Sequence, residues 1–513
     1  MDKKKSLINI TVSIGFKVIL LIGAILVRRY LIRYIGNEIN GLNALYLNMM
    51  GFLTVAELGI GSAITFCMYK PIVEEKKNEV AALYQLFKKL YRIIGFVIFM
   101  IGIALMPSLP YFAKDYTSLD LSLYQTFFLM LISVVLSYMF SEKTSLINAY
   151  KDNYIATTIS SIGAILQYVL QIIVLYMTQS FYYYLICRIV AILVQWIITE
   201  VYVRRKHNDI ICYKKQTLYK ETKYEVIKNI KALFMHKIGT VFINSTDSAI
   251  ISAFIGIGVL GIYSNYTTIV ISMMSVITLF FTPLTSVIGH MCVEENSQAK
   301  KYYNFFYSFN YVIGVVFFLG YYAVIDNLIT ILFGENLEIA KEISFIITVN
   351  YFIQFMRQAT LLFRNATGTF YYDRWKPFFE GILNVVLSVV FVILFMDWFG
   401  KSFAVMGVIF ATIITNLFIC HIIEPYVLHK YVFHISTKKY WIKNYSYIVI
   451  FIIALCIMGN SMVSMENIYI ELIINGILSL MFSSVISILI VVTDKDFRYY
   501  CKIMLDKLKK FKV

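Results

Sequence analysis

A run of about 28 mainly apolar residues, Leu7 to Tyr34, follows three lysines, Lys3, Lys4 and Lys5. As a helix it would extend roughly 42 Å, enough to cross a bilayer with its headgroup zones. In hydrocarbon every backbone N–H and C=O must be satisfied internally, which restricts such a segment to a helix or a closed barrel. The same run carries Lys17, Arg28 and Arg29. A cation at the centre of a membrane helix costs about 2.5–3.5 kcal/mol on the lenient insertion scale, so such side chains face a polar interior and mark a pathway. The run is too long for a signal peptide and has no small-residue cleavage site, so it reads as a first transmembrane helix.

Thirteen comparable runs follow. The expected spans are 7–34, 41–69, 90–112, 121–147, 155–178, 181–203, 232–256, 259–291, 303–332, 340–364, 377–397, 402–424, 444–462 and 468–492. Composition agrees, with 59% hydrophobic and 15% charged residues against about 45–50% and 25% in soluble chains. Six prolines and 24 glycines leave long uninterrupted stretches, and the alternating short strands of a barrel are absent. The expected class is an all-α membrane protein of about 14 transmembrane helices.

The net charge of +16 first suggests nucleic acid, but the placement of the charges argues against it. With the N-terminus inside, and cations near a span's end counted with the loop they adjoin, internal segments hold 36 of the 46 Lys and Arg, and external ones hold only Arg33, Lys114, Lys341 and Lys401. That is the positive-inside pattern, and it places both termini in the cytoplasm. Lys17, Arg28, Arg29, Arg188, Lys237 and Arg357 lie within spans. The seven cysteines are scattered without CxxC spacing and the six histidines include no HExxH, so neither a metal nor a cofactor is expected.

The longest internal loop, 204–231, contains Arg204-Arg205-Lys206 and the helical-looking KETKYEVIKNIK. It reads as a linker whose basic helix rests on anionic headgroups, or as a partner-binding segment. It also separates two similar halves. RYIGNEINGLNALY (33–46) aligns with AFIGIGVLGIYSNY (253–266), setting Gly36 over Gly256, Gly41 over Gly261 and Tyr46 over Tyr266. The same shift of 220 sets Lys17 over Lys237, and a shift of 217 sets Gln167 and Gln171 over Asn384 and Ser388. A shared order at a nearly constant offset indicates a duplication. Six helices per half is an even number, so both halves enter from the same side. A pseudo-twofold axis then lies along the membrane normal, with a site near midplane. The expected organisation is a lobe at 1–203, a basic linker at 204–231, a second lobe at 232–424, and two extra helices with a basic cytoplasmic tail at 425–513.

The cations are the first candidates for function. Lys17 falls near midplane, and Arg28, three turns later, shares its face with Ser13 and Asn9, whereas Arg29 sits about 100° away. Lys237 repeats Lys17, with Asn244 and Ser248 on its face. Arg357 lies on a polar face with Asn350, Gln354 and Gln358. Asp247 and Glu57 are acidic groups near midplane; Asp247 is either a structural counter-ion or a protonatable coupling group. Asn43 with Tyr46, and Asn265 with Tyr263 and Tyr266, could contact sugars or belong to the aromatic belt. The chain has no GxxxxGK[ST] loop and no catalytic triad or carboxylate pair in a soluble loop, which favours a gradient-driven transporter over an enzyme.

Several segments carry a resemblance: YIGNEINGLNALYL (34–47), ELGIGSAITFCMYKPIVEE (57–75), NAYKDNYI (148–155), HKIGTVFINSTDSAIISAFIGIGVLGIYSNY (236–266) and RNATGTFYYDRWKP (364–377). Together they resemble the polysaccharide flippases of the MOP superfamily, in particular the capsule and O-antigen repeat-unit flippases. The resemblance implies two six-helix lobes around a cationic cavity that receives the diphosphate and sugars of an undecaprenyl-linked oligosaccharide. Its basic positions here would be Lys17, Arg28, Lys237 and Arg357. Asp247 or Glu57 would serve as counter-ion or coupling group, and Asn43, Asn244 and Asn265 as sugar contacts. The resemblance also implies a bacterial cell membrane, and a glycan polymerase and glycosyltransferases as pathway partners. The alternatives are a multidrug or cation exporter of the same superfamily and a membrane glycan polymerase or glycosyltransferase.

Overall fold

The computed structural model describes residues 3–57, 60–211, 246–281, 284–294, 296–369 and 372–511. Every regular element among them is helical. Among the described residues ten helices are long and apolar enough to cross a membrane. The expected span 232–256 falls largely on residues outside the described set. Contacts group the chain into two compact units, Met1–Gly261 and Ile262–Val513.

The first unit contains α1 (Lys3–Ile35), α2 (Asn37–Leu53), α3 (Ile60–Val73), α4 (Lys77–Leu105), α5 (Leu123–Tyr138), α6 (Ser141–Ala149), α7 (Asn153–Thr178) and α8 (Phe181–Lys206). The helix α9 (Ile257–Phe281) begins at its end. The second unit continues with α10 (Leu284–Glu294), α11 (Asn296–Phe333), α12 (Lys341–Met356), α13 (Gln358–Thr367), α14 (Lys376–Phe399), α15 (Ala404–Thr415), α16 (His421–Tyr431), α17 (Lys438–Ser461), α18 (Ile468–Thr493) and α19 (Lys495–Phe511).

Three helices place polar side chains inward and apolar ones outward, the reverse of a surface helix in a soluble bundle. On α7 Ser161 and Gln171 are buried while Val169, Ile173 and Met177 are exposed. On α14 Lys376, Glu380, Asn384 and Ser388 recur every four residues on the buried face, opposite the exposed Phe379, Ile382 and Val386. On α18 Asn475, Ser479 and Ser483 point inward, with Ile473, Ile477 and Ile488 outward. Polar side chains that find partners inside and apolar ones left outside are what hydrocarbon selects for.

Four expected spans are broken. A 3₁₀ turn, Thr54–Glu57, divides α2 from α3, where Thr54 Oγ1 donates to Gly51 O at 2.8 Å. The chain also breaks between α5 and α6 at Phe140 and between α12 and α13 at Arg357. A π-helical turn, Asn416–Cys420, joins α15 to α16. The expected C-terminal tail forms the amphipathic α19, which packs Phe497 and Tyr500 on Phe305 of α11 (centroids 5.8 and 5.2 Å). The extra pair α17 and α18 belongs to the core of the second unit: Phe451 stacks on Phe352 at 3.6 Å, and Asn444 accepts from Tyr307 at 2.6 Å.

The repeat is visible in backbone conformation. Gly36 has φ 115° and ψ 165°, and Gly256 has φ 132° and ψ 163°, a region that strains residues with a Cβ. The helices that follow them meet reciprocally. A Cβ on Gly41 would stand 1.9 Å from Ile257 O, and one on Gly261 would stand 2.4 Å from Asn37 O. Asn37 and Ile257 are themselves 220 apart. Asn37 Nδ2 and Asn40 Nδ2 donate to Gly258 O (2.8 Å) and Gly261 O (3.1 Å), fastening the crossing.

Candidate functional site

On α1, Lys17 and Arg28 are both half-buried, while Ile19, Ile22, Leu26 and Arg29 lie on an exposed stripe. Gly23 lets the Tyr168 ring of α7 approach; a Cβ there would be 2.6 Å from the ring. Further along, Tyr184 of α8 lies within electrostatic reach of both Arg28 and Arg188. The Nε of Arg188 is buried without a hydrogen-bond partner. Among the described residues no carboxylate forms an ion pair with Arg188 or Lys17. Guanidinium groups present rigid forks that suit phosphate oxygens.

Elsewhere in the first unit is a cavity of about 660 Å³, lined by Glu57, Thr65, Tyr91, Ser145, Asn148 and Asn153, with Tyr69 and Thr157 among its other walls. The 3₁₀ turn delivers Glu57, α3 delivers Thr65 and Tyr69, and α6 and α7 deliver the amides. Tyr91 Oη donates to Glu57 Oε1 at 3.2 Å, and the Tyr138 hydroxyl also bonds Glu57. A Cβ on Gly61 would stand 2.6 Å from Tyr91 Oη, so a glycine is needed for this approach. A second group of charges in the unit is paired: Lys143 pairs with Glu142 (3.1 Å) and Glu200 (2.9 Å), and Arg204 pairs with Glu200 (2.6 Å).

The second unit encloses an ionic network. Arg357, at the α12–α13 break, donates Nε and Nη2 to Glu424 (3.0 and 2.6 Å) and Nη1 to Asn416 Oδ1 (2.7 Å). Lys376 contacts the same Glu424 at 2.6 Å and Glu380 at 3.0 Å. Arg364 pairs with Asp373 at 2.6 Å. Three cations thus meet three carboxylates, all in largely buried positions.

Lys237 and Asn244 lie outside the described residues. Asp247 is half-buried in the helical segment before Gly256. Asn43 and Asn265 are buried within helix packing, as are their neighbours Tyr46 and Tyr266. Sequence reasoning placed Arg357 inside a span but missed its partners. Lys376 and Glu380 stand four apart, a spacing that signals a pair on one helix face. In sequence Arg188 is one of six cations within spans, and Asn148 and Asn153 belong to the segment NAYKDNYI with no role attached.

The model of the polysaccharide biosynthesis protein family matches residues 6–288. No curated protein matches the chain. Among solved structures, the lipid II flippase MurJ in an inward closed conformation aligns over 93% of this chain and 98% of its own, with 15% identity and a TM-score of 0.62. A multidrug resistance MATE family transporter of the MOP superfamily, inward-facing, aligns over 80% of this chain and 96% of its own, with 13% identity and a TM-score of 0.61. A mutant of the Vibrio cholerae MATE transporter VcmN aligns over 84% and 100%, with 13% identity and a TM-score of 0.54. This chain therefore has the multi-helix membrane fold that these proteins share.

Proposed function

The chain belongs to the polysaccharide biosynthesis protein family, and on that premise we propose that it is a flippase for undecaprenyl-diphosphate-linked oligosaccharide. It moves the substrate from the cytoplasmic to the outer leaflet by alternating access, as a step in surface polysaccharide biosynthesis. The observation that carries this reading is Arg188, with a buried, unpartnered Nε, sharing Tyr184 with Arg28 inside apolar helices. A buried cation with no counter-charge among the described residues is costly, and a diphosphate would supply that charge through charge-assisted hydrogen bonds. Lys17, Arg28 and Lys237 form the rest of the proposed anion path, with Arg357 held back by its ion pair with Glu424.

The basic residues of alternate loops support cytoplasmic termini in a bacterial cell membrane. The 220-residue repeat supports lobes at 1–203 and 232–424, joined by 204–231 and followed by 425–513, that rock against each other. A glycan polymerase and glycosyltransferases of the same pathway are the proposed partners, and no bond is made or broken on the substrate.

The test replaces Arg28 and Arg188 with glutamine, and separately Lys17 and Lys237, in cells that depend on this chain for surface glycan. Expected is at least a roughly tenfold loss of surface glycan (~1.4 kcal/mol), with lipid-linked repeat units accumulating at normal protein level. Unchanged export would remove these cations from the mechanism. Drug resistance on overexpression without any effect on glycan would instead favour a multidrug exporter.

A further inference from the structure

We infer that the cavity around Glu57 is a saccharide subsite that takes uncharged, hydroxyl-bearing sugars of the carrier-linked glycan and excludes acidic ones, an inference that rests on the flippase reading. The lining has the chemistry that sugar recognition needs. Asn148 and Asn153 each offer an amide that donates and accepts, and Thr65, Ser145 and Thr157 offer hydroxyls that do both. Tyr69, 43% exposed at the wall, presents an apolar ring face beside its hydroxyl. The volume of about 660 Å³ lies inside the range of roughly 300–1,000 Å³ typical of small-molecule sites.

The charge of the cavity sets its selectivity. Among the described residues Glu57 is its one acidic lining residue, and no described Lys or Arg lines it. The described partners of Glu57 are the hydroxyls of Tyr91 and Tyr138. A carboxylate has about four acceptor sites, so capacity remains for sugar hydroxyls. A diphosphate or a uronic acid would instead face an uncompensated negative charge in a partly desolvated space. The sugar and the diphosphate are thereby assigned to different places in the first unit: the glycan to Glu57 and its amides, the phosphates to Arg28 and Arg188. A second cavity of about 430 Å³ shares Phe66 and Tyr69 with the first and is lined by Lys70, Glu74, Lys76 and Glu79, so charged groups begin beyond the saccharide pocket.

The experiment uses the full chain in lipid nanodiscs and saturation-transfer NMR. The probes are four neutral disaccharides (cellobiose, lactose, maltose and N,N′-diacetylchitobiose) and one acidic probe, digalacturonic acid. The expected result is transfer to at least one neutral probe, at least fivefold weaker to the acidic one. Asn148→Leu should abolish transfer to the neutral probe, and Glu57→Gln should raise transfer to the acidic probe at least fivefold. Unaltered thermal melting of each variant keeps misfolding separate from lost binding. Transfer to none of the neutral probes, equal transfer to the acidic probe, or transfer indifferent to Asn148→Leu would overturn the subsite. Translocation of lipid-linked glycan measured in the same preparations separates the two readings. Sugar binding without translocation defeats the flippase proposal alone, and translocation without sugar binding defeats the subsite alone.

Discussion

The two units treat buried charge differently. In the second, Arg357, Arg364 and Lys376 are matched by Glu380, Glu424 and Asp373, with a bidentate pair at its centre. In the first, the network of Glu142, Lys143, Glu200 and Arg204 is equally closed. Yet among the described residues Arg188 has no ion pair, whereas Arg364, whose Nε is likewise unpartnered, still pairs with Asp373 through Nη1, and Glu57 faces a cavity where its described partners are tyrosine hydroxyls. The first unit thus shows that this fold can neutralise a charge and that at these two positions it does not. A satisfied network specifies geometry; an unsatisfied group is where a ligand gains binding energy.

The largest effect should come from opening the closed network. Glu424→Ala takes the bidentate partner from Arg357 and leaves Glu380 to face both Arg357 and Lys376, and breaking one partner of such a network costs about 3–5 kcal/mol. Thermal melting of the purified protein should fall steeply, with less protein in the membrane. Glu57→Gln, by contrast, should leave melting close to wild type because its partners are neutral hydroxyls. Equal destabilisation by the two variants would erase the distinction between the units.

Backbone contact tests where the repeats remain alike. Gly41→Ala would place a Cβ 1.9 Å from Ile257 O, and backbone cannot swing aside as a side chain can. Overpacking of this kind costs about 1–3 kcal/mol. Gly261→Ala should behave similarly, since its Cβ would meet Asn37 O at 2.4 Å. If only one of the two lowers the melting temperature, the reciprocal crossing is not shared equally by the repeats.

Arg188→Gln isolates the open cation. Transport should fall about tenfold, equivalent to ~1.4 kcal/mol, while the melting temperature holds or rises because no ion pair among the described residues is lost. A drop in melting without loss of transport would mean that Arg188 is structural and that the first unit is as closed as the second.

How much of this is legible in sequence follows from the range of each interaction. Helical spans announce themselves by length and polarity, and the glycines at 36, 41, 256 and 261 disclose the repeat because a positive φ or a backbone crossing demands glycine locally. The breaks at Phe140 and Arg357 do not, since tertiary partners decide where an apolar helix bends. Reading a span from 377 leaves Lys376 outside it, and reading one to 424 leaves Glu424 at its edge, so the ions that hold Arg357 look like loop charges. The Glu57 cavity joins side chains almost a hundred residues apart, from Glu57 to Asn153, and no periodicity within one helix brings them together.

The smallest predicted effect compares repeat mates directly. Tyr46 and Tyr266 are both fully buried. Tyr46 Oη donates to Leu123 O at 3.0 Å and lies 3.0 Å from Thr126 Oγ1, a neutral environment at the start of α5. Tyr266 Oη donates to Asp326 Oδ1 at 2.9 Å and accepts from Ile339 N–H at 3.2 Å, tying α9 to α11 and to the segment before α12. A neutral hydrogen bond contributes about 0.5–1.5 kcal/mol, and one to a charged group about 1.5–3 kcal/mol. Tyr46→Phe should therefore lower stability by about 1 kcal/mol, and Tyr266→Phe by roughly twice that, since it also strips the half-buried Asp326 carboxylate of a donor. Thermal melting of the two variants and their double mutant reads the difference, and the effects should add because the sites share no partner. Equal losses would show that Asp326 is neutral in the folded protein, placing that carboxyl with the uncharged polar groups of the second unit rather than with its ions.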